Sequence, residues 1–144
     1  MKAKYVIIQH GGEELPIVFA QLLLHKSVAG ANKVKAAGFC ELLTTGKWIT
    51  CGASVSLSVN ARQQDAEILN RQKTKYIIIQ HNGEELPIVF SKRLLPQTVA
   101  GANQVNAAGN CALNANAKWI TGVSSDSLGL SARPQDAEIL NRHL

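Results

Sequence analysis

Apolar residues in this chain gather in short β-branched runs and alternating stretches, and only the end of each half carries a helical stripe. Lys4 to Gln9 (KYVIIQ) and Lys75 to Gln80 (KYIIIQ) have the β-branched and aromatic content of strands. His10-Gly11-Gly12 and His81-Asn82-Gly83 follow as two-residue hairpin signals, Asn-Gly being among the strongest. A return strand is expected from Glu14 to Phe19. There Pro16 and Pro87 have no N–H to give a ladder, which argues against a central position and for an edge or a bulge. Ala20 to Asn32 holds at most one short helix starting near Ser27 or Thr98, with Gly30 and Gly101 limiting its length.

Val34 to Leu42 predicts a third strand broken by Gly38, with a turn at Thr44-Thr45-Gly46, or at Asn114-Ala115-Asn116 later in the chain. Lys47 to Val59 predicts a fourth strand, bulged near Gly52. Within it Ser54, Ser56 and Ser58 alternate with Val55, Leu57 and Val59, so one face suits a core and the other is small, polar and flat. The later stretch keeps Ser125 and Ser127 but has Asp126 where Val55 stands, so the two faces are not interchangeable. The last element is a helix. Asn60 and Ser131 are good N-caps, Pro134 falls in the first turn, and Asp65 and Glu67 favour the positive helix end. Ala61, Ala66, Ile68 and Leu69 form its apolar stripe, and Arg71 closes it.

These elements occur twice. Residue 4 onward aligns with residue 75 onward at a constant offset of 71, without a gap, and about 44 of 68 aligned residues are identical. The pattern implies a tandem duplication of a unit of roughly 70 residues, large enough for a small domain and too few copies for a solenoid. Only Gln72, Lys73 and Thr74 join the copies. The expected fold is therefore α+β and strand-rich, each unit ββ(α)ββα. Residues 1–72 and 73–144 would be two domains packed about a pseudo-twofold axis, a covalent version of a homodimer.

Composition narrows the class. With 46% hydrophobic and 17% charged residues and a mean hydropathy of zero, the chain is globular rather than disordered. No apolar run approaches the roughly 18 residues of a membrane span, and the amino-terminal apolar stretch is too short for a secretory signal. Three cysteines cannot all pair, which favours a reducing cytoplasm. The net charge of +5 divides after Gln72 into 8 Lys+Arg against 5 Asp+Glu, then 7 against 5. There is no basic run. The densest places are Lys26 with Lys33 and Lys35, and Lys92 with Arg93, and aromatics are only 5%. A mildly basic solvated surface fits better than a nucleic-acid footprint, which stands as the alternative.

Candidate chemistry is sparse. His10 and His81 precede Glu13 and Glu84 by three residues on turns, a pairing that could serve as base and orienter or as metal ligands. Zinc needs three or four ligands, so a solvated turn is the ordinary reading and a small hydrolase the third. Cys40 and Cys111 sit in apolar strands as small buried hydrophobes, while Gly122 replaces Cys51. No C-x-x-C and no glycine-rich phosphate loop occurs. Trp48 and Trp119 suit core or interdomain packing. Arg62 and Arg133 fall in the first turn of the last helix, where a cation opposes the dipole; the ordinary partner is Asp65 or Asp136, the functional one an acidic ligand. Gly30 and Asn32, with Gly101 and Asn103, could offer backbone amides to an anion. A ligand is thus expected in a cleft on the pseudo-axis, touching Gly30, Asn32, Arg62, Gly101, Asn103 and Arg133. No catalytic residue, metal or cofactor is expected.

The strings GEELPIVF, VAGAN and SLGLSARPQDAEIL resemble small uncharacterised bacterial and prophage-type proteins, and the resemblance covers nearly all of each repeat. It implies an accessory or mobile-element role and brings no catalytic residue. The reading that follows is a non-catalytic binding module engaging a protein or a small anionic ligand.

Overall fold

A computed structural model of the chain describes residues 2–54, 56–71, 75–122 and 129–144. The chain is α+β and strand-rich. In the first half, β1 (Ala3–His10) turns into β2 (Glu13–Ala20) through Gly11 and Gly12, whose φ values of 55° and 81° make the turn type I′. A five-residue helix, α1 (His25–Ala29), leads to β3 (Lys33–Leu42) and then β4 (Trp48–Cys51). Two short strands, β5 (Ala53–Ser54) and β6 (Val59–Asn60), pair apart from the main sheet, and α2 (Asp65–Arg71) ends the half. The second half supplies β7 (Lys75–His81), β8 (Glu84–Phe90), α3 (Pro96–Ala100), β9 (Gln104–Leu113), β10 (Trp119–Gly122) and α4 (Asp136–His143). Asn82 and Gly83 repeat the positive-φ turn at 49° and 82°.

The main sheet runs β10-β9-β7-β8-β2-β1-β3-β4, with every pairing antiparallel. The two halves join at its centre, where Ile17 faces Phe90, Val18 faces Val89 and Phe19 faces Ile88. Because β2 and β3 both flank β1, the link between them must cross a sheet face, and this lays α1 over the strands. α3 does the same between β8 and β9. Gly30 and Gly101 end these helices as expected, each at positive φ and each donating its N–H to the carbonyl of Lys26 or Gln97.

Apolar side chains fill a layer on each face. One contains Tyr5, Val18, Cys40, Trp48 and Leu69 with Tyr76, Val89, Cys111, Trp119 and Leu140. The other contains Val6, Ile17, Phe19 and Val28 with Ile77, Ile88, Phe90 and Val99. Both layers draw on both halves. Trp48 and Trp119 stand on the two outermost strands, yet their rings meet with centroids 6.4 Å apart. The sheet therefore curls around the Tyr5 layer until its outer hairpins approach one another.

Several expectations need correcting. Pro16 and Pro87 are not on edge strands: β2 and β8 are the two central ones. Alternation from the two-residue turn makes Ile7–Pro16 a non-hydrogen-bonded pair, so the proline nitrogen points toward β8, where the ladder has already stopped at Ile17. β3 is not broken at Gly38; its register shift falls nearer the start, where Ile7 faces Ala36 and Ile8 faces Val34. Gly38 is needed for close approach, since a Cβ there would lie 2.6 Å from the Cys51 carbonyl oxygen. The fourth strand stops at Cys51, where Gly52 at φ 82° bends the chain away. There is accordingly no continuous serine face: Ser54 is buried, Ser56 and Ser58 are exposed, and Ser58 turns at φ 56°. Ser125, Asp126 and Ser127, like Gln72 to Thr74, lie outside the described residues. The last helices begin at Asp65 and Asp136, several residues after Asn60 and Ser131, which therefore cap nothing.

Candidate functional site

Asp65 explains where α2 begins. Its carboxylate is fully buried and accepts three hydrogen bonds: from Tyr5 Oη at 2.5 Å, from the Arg62 backbone N–H at 2.7 Å and from Arg62 Nε at 2.9 Å. Arg62 then reaches Glu14 with both terminal nitrogens, at 2.9 and 3.2 Å. The second half rebuilds this with Tyr76, Asp136, Arg133 and Glu85, where Asn106 also donates to Glu85 at 2.8 Å. Burial, and then the neighbouring aspartate, pushes both tyrosine hydroxyls well above their ordinary pKa, so neither serves as a base near neutrality. The Arg62 hydrogen bond holds Glu14 below the usual carboxylate range, and Arg133 does the same for Glu85. The arginines' ordinary partners, Asp65 and Asp136, are thus in place, with a glutamate added to each.

The expected ligand residues do not converge. Arg62 and Arg133 adjoin the Tyr5 layer. Gly30, Asn32, Gly101 and Asn103 follow α1 and α3, whose apolar residues belong to the opposite layer. The glycine and asparagine amides are also occupied: Gly30 donates to Lys26 O and Asn32 to Ala29 O, with Gly101 and Asn103 repeating both bonds. The Asn32 and Asn103 side chains donate to the same Ala29 and Ala100 carbonyls at 2.9 Å. These bonds close the two short helices.

The turn histidines are separated from any third ligand. Glu13 is held by Arg93 at 2.8 Å, Glu84 lies 4.0 Å from His143, and the His81 ring neighbours Asn82 at 3.3 Å. Among the described residues no group of three metal-ligating side chains occurs. Cys40 and Cys111 are buried, as their strands implied, and Cys51 is exposed.

What the sequence did not reveal lies at the sheet's two outer edges. Beside β4 an open hollow of about 440 Å³ is lined by Ile49, Thr50, Cys51 and Gly52 and by Ala61, Arg62, Gln63 and Ala66. Beside β10 a second, of about 480 Å³, is lined by Ile120, Thr121 and Gly122 and by Ala132, Arg133, Pro134 and Ala137. Each runs between an edge strand and the start of the following helix, and every residue lining the second stands 71 places after one lining the first. Hairpin register fixes which backbone groups face the hollows. Leu43 N–H donates to Lys47 O, so Trp48 and Thr50 turn their N–H and C=O groups away from β3. Asn70 covers the first of these positions by accepting from Trp48 N–H at 2.8 Å. Asn141 covers its counterpart on both sides, accepting from Trp119 N–H at 2.7 Å and donating to Trp119 O at 3.1 Å. The next outward position, Thr50 or Thr121, faces the hollow. Ile49 and Ile120 beside it are 39% and 51% exposed, unusual for isoleucine on a sheet edge. The signal available in the sequence was the shared KWIT, whose isoleucines alternate with buried tryptophans.

Among the described residues no helix is long and apolar enough to cross a membrane. Comparison of the chain with protein-family models, curated proteins and solved structures finds no match.

Proposed function

We propose that this protein is a non-catalytic binding module, a tandem-duplicated pseudo-homodimer that holds an extended segment of a partner protein at each outer edge of its sheet. The observation that carries the reading is the recurrence of one groove, edge strand against helix start, beside both β4 and β10. An edge strand offers unpaired backbone groups to an added strand, and flanking side chains supply selectivity. Thr50 and Thr121 provide the backbone pair, Ile49 and Ile120 exposed apolar surface, and Ala61, Ala66, Ala132 and Ala137 a shallow floor.

The test is selection of peptides from a random displayed library on the full chain, followed by fluorescence polarisation with Thr50→Pro, Thr121→Pro and the double variant. At these positions proline removes an outward N–H that no ladder uses, together with a threonine hydroxyl that hydrogen-bonds Tyr5 or Tyr76, and the unfolding midpoint checks that the fold survives. Each single variant is expected to remove binding at one edge, and the double variant all of it. Undiminished binding to a folded double variant, or a library with no enriched peptide, overturns the proposal.

A further inference from the structure

The curl of the sheet creates a further cavity, separate from the edge grooves. The β3–β4 and β9–β10 hairpins approach across the molecule where Trp48 meets Trp119. Between them lies a cavity of about 150 Å³ with contributions from both halves, including Lys2, Thr44, Asn116, Lys118, Trp119 and Asn141. At roughly 30 Å³ per water this volume holds about five waters, enough for a phosphate-sized anion.

The polar side chains among its lining residues are those of Lys2, Lys118, Thr44, Asn116 and Asn141, none of them acidic, and the carboxyl-terminal Leu144 lines it as well. Among the described residues neither lysine has a carboxylate, side-chain or terminal, at ion-pair distance; the ion pairs found use arginine or histidine. Lys2 is held in place by donating to Asn141 O at 2.7 Å, which uses one of its three protons. Lysine is a compact point charge with several donors, suited to an oxyanion when another cation and amide donors face it. We infer that this seam between the outer hairpins is a binding site for a small phosphate-like dianion, with Lys2 and Lys118 as its cations and Asn116 and Thr44 as neutral hydrogen-bonding groups. The site differs from the one expected in the sequence and needs neither Arg62 nor Arg133.

The experiment titrates inorganic phosphate into the full-length protein at constant ionic strength, with chloride as the exchanged ion. Binding is read by backbone amide NMR and tryptophan fluorescence. Saturable shifts are expected at Thr44, Asn116, Lys118 and Trp119. Lys2→Gln and Lys118→Gln should each weaken binding by about tenfold, the loss of one charge-assisted hydrogen bond. Lys33→Gln, on β3 and away from the cavity, should leave it unchanged. Non-saturating shifts spread over Lys26, Lys33 and Lys92, or equal affinity in the folded Lys2→Gln/Lys118→Gln protein, would show a general ion atmosphere and overturn the inference.

Discussion

The interaction that most constrains this fold is the buried Asp65 carboxylate, and Asp65→Asn tests it. Asparagine preserves the shape but removes the charge and replaces one carboxylate oxygen with an NH₂ donor. Tyr5 Oη and Arg62, which now donate at 2.5, 2.7 and 2.9 Å, must then share a single good acceptor. Removing one partner of a buried charged pair costs about 3–5 kcal/mol. For a chain of this size that corresponds to a fall in Tm of roughly 10–17 °C. Tyr5→Phe leaves Asp65 two of its donors and should cost less, about 1–2 kcal/mol. Urea unfolding of both variants and of the double variant gives the coupling. Because Asp65→Asn already spoils the tyrosine bond, the two losses should fall short of additive by about 1 kcal/mol. Asp136→Asn and Tyr76→Phe should behave alike, since Asp136 makes the same three bonds. If Asp65→Asn unfolds at the wild-type urea concentration, the carboxylate does not anchor α2 and the reasoning fails.

Two further outcomes are expected. His25 is buried between the Phe19 and Phe39 rings and donates to Gly38 O at 2.8 Å; burial first, with Lys4 nearby, holds its pKa below the ordinary 6.5. Its folded form therefore binds fewer protons, and stability should decline as pH falls below about 6.5; His25→Pro, which copies Pro96 at the equivalent helix start, should fold and lessen that decline, the remainder belonging to His143, whose pKa burial also lowers, as thermal melts across pH 5–8 would show. Residues 75–144 alone should form a dimer by sedimentation, because the central ladder is self-complementary, with Val89 facing Val89 and Ile88 facing Phe90; a stable monomer would count against the pseudo-homodimer.

What the sequence revealed and what it hid follow from the range of the interactions. The β1–β2 hairpin was legible because KYVIIQ and the two turn residues act within a few positions, and Gly30 ended α1 for an equally local reason. The start of α2 was not. Asn60 carries a good local N-cap signal, but Tyr5, sixty residues earlier, takes the Asp65 carboxylate and sets the first turn there. Pro16 misled because a strand can be central while one of its rungs is unpaired. The serine alternation failed because Gly52 and Ser58 adopt positive φ, which a period-two pattern cannot register. Arg62 was legible in part. Its opposition to the helix dipole pointed to a carboxylate, and two are present; Glu14, 48 residues away, left no local trace. The edge grooves were hidden because they depend on which strands end up outermost.

That last dependence also bears on how the proposed binding is distributed. The β2–β8 ladder uses the inner edge of each half, so β4 and β10 are the outer strands of the main sheet among the described residues, and equivalent residues line both grooves. Shape is therefore shared, but charge is not. Beside the first groove, Glu14 and Asp65 are balanced by Arg62 and by Lys35, which lies near enough to lower the Glu14 pKa. Beside the second, Asn106 takes the place of Lys35, so among the described residues Glu85 and Asp136 are paired with the Arg133 cation and one negative charge remains. The groove walls differ as well, Cys51 against Gly122 and Gln63 against Pro134. Two grooves of one shape and unequal charge would accept the same extended backbone while preferring different side chains. On this reasoning the edge beside β10 favours the more basic segment, and peptides lost with Thr121→Pro should carry more lysine and arginine than those lost with Thr50→Pro.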